Sequence, residues 1–418
     1  MTAIAAFTGC GVATTDEVST DSRATATPTT STQCGGSTGL DIALANNSGQ
    51  PDTAVNWFVQ QTRVGAPNPE LIAGPFTYDK TNSVTCGPMN AGQVVITFGN
   101  DGSVTPPAAP VPNPADQPTY SQPSPDTEPK RFQTVELTIP GIVNLTAVDM
   151  VGIPIDMATS DGTSRVWKCY TDVVQASLRK TLAAAGGDYS RTVRTGTNGK
   201  FLRLVSPNIV SGLNKSGYPK FDAYLSSLNG QTLTVKRTKG VDYSPYGYSY
   251  SGVVKADGSI VFAPTDKGSK EPSLTIPVGT LTSNDGVPAH TGIYGNNSPY
   301  LVGASKTNHY VSENDKYAAI YRDVVAAFAY GFWSKGGAND SSQFSTQSSS
   351  GPFQGAQPKN ADRYNAWAAA LWPVTGAYGF AFEDTFNPGD RNPAIPVKAS
   401  GQLTLTIQPD ITPPNRGC

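Results

Sequence analysis

Short runs in which apolar and β-branched residues alternate with polar ones recur along the chain, a pattern typical of half-buried β-strands. A hairpin with an Asp257-Gly258 turn is predicted within residues 251–264. The other strand-like runs are LDIALANNSG (40–49), VNWFVQ (55–60), QVVITFG (93–99), FQTVELTI (132–139), NLTAVDMVGIPI (144–155) and QLTLTIQP (402–409). The pattern therefore predicts a mainly β protein.

Helical spacing of apolar residues appears only after the run at residues 144–155 and before the run at residues 402–409. Val174, Leu178 and Leu182 recur every four positions ahead of a Gly-Gly stop, which predicts a helix within residues 172–187. The other candidates are residues 219–230, 314–333 and 363–372. The chain thus begins with strands, continues with mixed helices and strands, and ends with a strand. This order is expected when an α/β region is inserted into a β domain.

This order divides the chain into a β domain and a mixed α/β domain. We place the β domain at residues 39–165 and 373–412, and the mixed α/β domain at residues 166–372. Residues 1–38, rich in Thr, Ser and Asp, are predicted to be a signal remnant and a disordered tether. The proline-rich residues 105–130 are predicted to be an extended connector crossing the surface of the β domain.

Two lone carboxylates, Glu136 and Asp149, stand in the otherwise uncharged stretch from residue 135 to residue 155. A carboxylate in a strand must be solvated, paired or used in chemistry. If the two strands pair antiparallel, a tight Pro140-Gly141 turn leaves the acids about 13 Å apart along the strands. We therefore predict a wide loop or bulge over residues 139–144, which would bring the two carboxylates closer together.

Paired carboxylates are the groups that cleave glycosidic bonds. One protonates the leaving oxygen, and in an inverting enzyme the other activates a water from about 6.5–9.5 Å away. On spacing alone, the alternative is that Glu136 and Asp149 are simply solvated on one face of a sheet.

Composition narrows the class of protein. Only 15% of the 418 residues are charged, against about 25% in an average soluble domain, and Gly, Pro and Tyr are abundant. This profile is typical of secreted, loop-rich β proteins. The net charge of −2 without a basic stripe argues against a nucleic-acid partner.

Five cysteines bear on the compartment and on metal binding. Cys10 ends a Phe-Thr-Gly-Cys sequence similar to a bacterial lipobox, so it is either a lipidation site that tethers the protein to a membrane or a chance cysteine. Of the three ways to join the other four, we favour Cys34–Cys86 with Cys169–Cys418. No C-x-x-C spacing occurs and only two histidines are present, so we expect no metal site and no cofactor.

Four segments in order carry a resemblance to a known family. They are Glu136-Leu137-Thr138, then Thr146-Ala147-Val148-Asp149 running on to Pro154, then LRLVSP (202–207), and YGFAFED (378–384). Together they resemble glycoside hydrolase family 64, the endo-β-1,3-glucanases, which share a β-rich domain with thaumatin-like proteins. The resemblance covers roughly residues 39–410.

The resemblance implies a fold, an activity and residue roles. It implies a thaumatin-like β-barrel or sandwich domain with an inserted mixed α/β domain, the two flanking a wide cleft. The equivalents of Glu136 and Asp149 are the general acid and general base of an inverting hydrolase. The implied partner is β-1,3-glucan, and we expect a monomer outside the cell or in its envelope.

The remaining candidates are residues suited to binding sugar. Tyrosine rings stack on sugars, although ordinary packing is the alternative for each of them. The acidic pair in the last motif either binds sugar hydroxyls or caps a loop. The substrate-binding candidates are Thr138, Asp156, Tyr243, Tyr246, Tyr248, Glu383 and Asp384. The rival functions are a non-catalytic, thaumatin-like β-glucan-binding protein and a surface adhesion protein.

Overall fold

The structure is a computed structural model of the 418-residue chain. It describes residues 34, 38–61, 70–99, 131–196, 199–207, 217–237, 246–281, 294, 300–304, 316–333, 364–380 and 393–418. Five features predicted from the sequence lie outside these residues, namely Cys10, the proline-rich connector, Tyr243, Glu383 and Asp384. Most of the predicted tether also lies outside them.

The described elements confirm a mainly β protein with a minority of helix. The strands are β1 Leu40–Asn46, β2 Val55–Gln61, β3 Glu70–Thr77, β4 Ser83–Cys86, β5 Met89–Phe98, β6 Arg131–Ile139, β7 Gly141–Leu145, β8 Met150–Val151, β9 Ile155–Thr159, β10 Ser164–Arg165, β11 Val193–Thr195, β12 Phe201–Val205, β13 Thr232–Arg237, β14 Tyr248–Val254, β15 Ile260–Pro264, β16 Leu274–Ile276, β17 Leu301–Val302, β18 Ala394–Val397 and β19 Gly401–Ile407. The helices are α1 Thr171–Ala185, α2 Asp222–Ser227, α3 Lys316–Ala329 and α4 Ala366–Thr375.

Two large sheets are built from both ends of the chain. One has the order β18-β7-β6-β5-β2-β3 and the other the order β10-β9-β19-β1-β4. Alternate residues of both sheets enter one hydrophobic core, among them Trp57 and Ile96 of the first sheet and Ile42 and Leu405 of the second. Within the described residues neither sheet closes on itself. The described sheets are therefore open, and the thaumatin-like β-barrel or sandwich form with an inserted α/β domain stays a prediction.

The middle of the chain combines helices with two smaller sheets. One sheet has the order β13-β14-β15-β16-β17 and includes the hairpin predicted at Asp257-Gly258. The other, β11-β12-β8, joins the middle of the chain to residues Met150–Val151. Helix α1 ends at Gly186, whose left-handed φ of 73° forms the predicted stop. The proposed domain boundaries stay a prediction.

Among the described residues, no helix is long and apolar enough to cross a membrane. In the same part of the chain, no three His, Cys, Asp or Glu side chains are grouped as a metal site requires.

Two disulfide bonds join Cys34 to Cys86 and Cys169 to Cys418, which confirms the favoured pairing. The second bond spans 249 residues and fastens the carboxyl-terminal tail to the segment ahead of α1. A bond that closes so long a loop restricts the unfolded chain strongly.

Removing the long-range bond is expected to destabilise the fold. The Cys169→Ser/Cys418→Ser double variant should lose about 2–4 kcal/mol of unfolding free energy, measured by urea denaturation without reductant. Dithiothreitol should then affect the variant only through Cys34–Cys86. An unchanged urea midpoint in the double variant would contradict a stabilising role for the bond.

Candidate active site

Glu136 lies in the middle of the six-stranded sheet, on the face turned away from the core. Its strand neighbours Val135 and Leu137 are buried in that core, at 1% and 2% exposure. Because side chains alternate along a strand, Glu136 and Thr138 project from the opposite face. Glu136 is half-buried there. A single carboxylate thus occupies the outer face of a rigid, centrally placed strand.

A row of polar side chains crosses the sheet at the level of Glu136. Asn144 of β7 faces Glu136 on one side, and Gln93 of β5 faces it on the other. Beyond Gln93 lies Gln60 of β2. The fully buried Asn144 donates a hydrogen bond from Nδ2 to Oε2 of Glu136 at 3.1 Å. Asn144 therefore fixes the orientation of the carboxyl group.

The predicted wide loop between the two acidic segments is wrong. Strand β6 ends at Ile139 and β7 begins at Gly141, with only Pro140 between them. The ladder then pairs Glu136 with Asn144. Asp149 lies beyond the end of β7, so strand register does not place it.

Asp149 is instead carried by a loop that leaves the sheet after Leu145 and returns at Gly152. The buried side chain of Gln133 holds both ends of this loop. Its Nε2 donates to the carbonyl oxygen of Thr146 at 2.9 Å, and its Oε1 accepts from the backbone N–H of Gly152 at 2.9 Å. We name residues 146–152 the Asp149 loop.

Position 152 requires a glycine because the backbone at the end of the Asp149 loop lies directly against the backbone of β6. A Cβ atom at this position would be 2.0 Å from the carbonyl oxygen of Phe132. Arg131 of β6 donates from Nε to the Gly152 carbonyl at 2.7 Å. The end of the Asp149 loop is therefore fixed by backbone approach and by two β6 side chains.

Segments distant in sequence hold the rest of the Asp149 loop. The backbone N–H of Ala147 donates to the backbone carbonyl of Tyr378 at 2.7 Å. Trp367 donates from Nε1 to the Ala147 carbonyl at 2.8 Å. The backbone N–H of Ser206 donates to the carbonyl of Asp149 itself at 2.9 Å. Three of the four sequence motifs thus meet around this loop.

One residue of the Asp149 loop, Met150, reaches the sheet face that carries Glu136. Met150, next to Asp149, packs with Phe58, Val95 and Phe132 in a small separate hydrophobic cluster. By strand parity those three sheet residues share the face of Glu136. Asp149, like Glu136, is half-buried. The structure therefore places the neighbour of the second carboxylate on the side of the sheet that bears the first.

Gln133 is expected to matter for turnover because it fixes the Asp149 loop. In Gln133→Leu, the Thr146 carbonyl and the Gly152 N–H lose their partner. On β-1,3-glucan, the substrate that the sequence resemblance implies, we expect kcat to fall about tenfold and KM to change little, since displacing a group that acts in the reaction costs rate more than binding. Steady-state kinetics with soluble laminarin measures this. Ile42→Ala, a core truncation in the other large sheet, is the control that lowers stability while kcat is retained. Equal kcat in the Gln133 variant and wild type would contradict the role.

The other predicted site residues fall into three groups. Thr138 lies on the face of Glu136, two residues along the same strand. Tyr246 is half-buried and packs against the core, so its role in binding stays a prediction. Tyr243, Glu383 and Asp384 lie outside the described residues.

Two predicted binding residues are corrected. Tyr248 is 6% exposed and its hydroxyl donates to Asp323 of α3, so its ring is not available for stacking on a sugar. Asp156 lies in the other large sheet and pairs with Arg416 of the tail at 3.2 Å. Burial raises the pKa of Asp156, although hydrogen bonds from the Trp167 backbone, Arg416 and the Gln408 side chain oppose the shift. Asp156 therefore anchors the carboxyl-terminal tail.

The sequence interpretation missed Gln133, which holds the Asp149 loop, and the three amides in the row of Glu136, which are Asn144, Gln93 and Gln60. A signal was present, because amides at 60, 93 and 144 are polar positions within apolar strands. Strand register, which decides that they share a row with Glu136, requires the turn geometry at Pro140.

Two half-buried carboxylates on neighbouring segments, one of them held by an amide, are the groups that the class of glycoside hydrolases uses. The sequence profile of the β-1,3-glucanases, glycoside hydrolase family 64, matches residues 38–407. The chain belongs to this family. No curated protein sequence matches the chain significantly.

Solved structures of β-1,3-glucanases share the fold. A laminaripentaose-producing β-1,3-glucanase in complex with laminaritetraose aligns with TM-score 0.55 at 16% identity, covering 89% of this chain and 99% of the other. The β-1,3-glucanase domain from Clostridium beijerinckii aligns with TM-score 0.50 at 13% identity, with coverage of 89% and 99%.

Proposed function

We propose that the protein is a secreted endo-β-1,3-glucanase that cleaves laminarin- or curdlan-type glucan with inversion at the anomeric carbon. The observation that carries the proposal is that Met150, the neighbour of Asp149, packs on the sheet face that bears Glu136, in a member of this family. Glu136 is bonded by Asn144, and the loop that carries Asp149 is bonded at both ends by Gln133.

In the proposed reaction Glu136 is the general acid and Asp149 the general base. The protonated Glu136 carboxyl transfers its proton to the glycosidic oxygen as the bond to the anomeric carbon breaks. Asp149 takes a proton from a water that attacks that carbon from the opposite side. The product sugar then has the α configuration at its new reducing end, and proton exchange with solvent restores both carboxyl groups.

Asn144 has a positioning role in this scheme. Its Nδ2 donates to one oxygen of Glu136 and so fixes the plane of the carboxyl group. Catalysis of this kind gains from groups held in place before the substrate arrives. Asp149 gains the same benefit from the bonds that hold its loop at Thr146, Ala147 and Gly152.

The cellular setting is part of the proposal. Disulfides persist in oxidising compartments, and two are present, which supports a protein outside the cell or in the envelope. A lipid on Cys10 would tether it to a membrane. We further propose that the protein acts as a monomer and needs no cofactor.

A laminarin digest followed by proton NMR tests the function. The expected result is release of new reducing ends whose α-anomer signal appears first. Early β-anomer would contradict inversion while leaving hydrolysis in place. A protein that retains the polymer without shortening it would instead be a glucan-binding protein.

A further inference from the structure

We propose that the side-chain amides of Gln60 and Gln93 form a subsite for the hydroxyl groups of a glucan unit beside the one held at Glu136. The subsite lies on the same sheet face as Glu136, so the inference rests on the proposed function. It extends the site across the strands, away from Asn144.

Strand register places the two amides in line with the carboxylate. Gln93 faces Glu136 across the β5–β6 ladder, and Gln60 faces Gln93 across the β2–β5 ladder. Directly facing residues project from the same side of a sheet. Neighbouring strands lie about 4.8 Å apart, so Gln60 lies about 10 Å from Glu136 at the level of the backbone.

One hydrogen bond fixes what each amide offers to a ligand. Nε2 of Gln60 donates to Oε1 of Gln93 at 2.8 Å. This leaves the Oε1 acceptor of Gln60 and the Nε2 donors of Gln93 with no other hydrogen bond inside the described part of the chain. Gln60 is only 9% exposed. Polar atoms in such surroundings normally have hydrogen-bond partners. The acceptor of Gln60 and the donors of Gln93 that are free among the described residues therefore lie side by side for a ligand to bond.

The chemistry of this row selects the class of ligand. A sugar hydroxyl both donates and accepts, and it therefore matches an adjacent amide oxygen and amide nitrogen. Glu136 is the only charged side chain in the row Asn144–Glu136–Gln93–Gln60, which disfavours a charged ligand next to the two amides. Phe58, in the neighbouring row, is 3% exposed and so offers no ring for stacking. Recognition at this position therefore falls to hydrogen bonding.

Calorimetric titration of laminarihexaose into the Glu136→Gln protein tests the subsite without turnover. Adding Gln93→Leu or Gln60→Leu to this background is expected to raise Kd about 3- to 10-fold. The Kd of the variant that carries both leucines should rise by less than the product of the two single increases, because the two amides bond each other. The matched control is Gln402→Leu. Its amide also bridges two strands, to Asp41 at 3.2 Å, but in the other large sheet, and its Kd should be unchanged.

The outcomes separate this inference from the proposed function. An unchanged Kd in folded Gln60 and Gln93 variants overturns the subsite alone, provided that the wild-type enzyme cleaves laminarin. If the leucine variants lose thermal stability, Gln60→Asn and Gln93→Asn replace them, since a shorter amide keeps the polarity but not the reach. A wild-type protein that neither binds nor cleaves the hexasaccharide contradicts both proposals.

Discussion

Glu136→Gln is expected to lower kcat on laminarin by about 10²- to 10⁴-fold while the melting temperature stays close to that of wild type. Glutamine has nearly the shape of glutamate and still presents an oxygen to the Nδ2 donor of Asn144. It has no acidic proton for the leaving oxygen, however. Steady-state release of reducing ends, with thermal unfolding in parallel, measures both quantities.

The leaving group of the substrate distinguishes the acid from the base. A dinitrophenyl laminari-oligosaccharide has a leaving group that needs no protonation, so Glu136→Gln should recover most of its rate on that substrate. Asp149→Asn should remain slow on both, because water activation is still required. Asp161→Asn, in an exposed turn, is the control and should keep wild-type rates. Near-full laminarin activity in either active-site variant would contradict the assignment.

The strands that carry Glu136 were predictable, whereas the position of Asp149 was not. Alternation in residues 132–139 marks β6 correctly, since one face enters the main apolar core and the other carries the polar Thr134, Glu136 and Thr138. Residues 144–155 read as one strand, but the structure divides them among β7, the Asp149 loop, which contains the two-residue strand β8, and the start of β9. The break depends on the side chain of Gln133 and on the close approach of Gly152 to Phe132. Neither contact leaves a periodic signal.

The aromatic candidates show the same limit. Tyr248 alternates with Tyr246 and Tyr250 in a strand-like run, and the sequence favours an exposed ring no more than a buried one. Its burial follows from a hydrogen-bond partner on a helix 75 residues away. Side chains that pair across such distances can be assigned only when the fold is known.

That partner, Asp323, is the subject of the second large expected effect. Asp323→Asn should reduce the free energy of unfolding by about 3–5 kcal/mol, because it removes the carboxylate charge that contacts the buried guanidinium of Arg237. Asp323 is fully buried in α3 and accepts bonds from Nε and Nη2 of Arg237, each at 2.8 Å. Burial, with the charge of Asp323, raises the pKa of Tyr248 well above its usual value, so its hydroxyl remains a donor to the same carboxylate.

Urea denaturation measures the loss, and two further variants show that it arises from the buried charge. Asp79→Asn removes a surface pair whose lysine is 80% exposed, and it should change stability by at most about 1 kcal/mol. Replacing both partners, as Arg237→Met with Asp323→Leu, should restore much of what Asp323→Asn loses, since neither charge is then left unpaired. A double variant less stable than Asp323→Asn alone would show that the pair does more than neutralise charge. Because Arg237 is the last residue of β13, the pair also joins the end of that strand to α3.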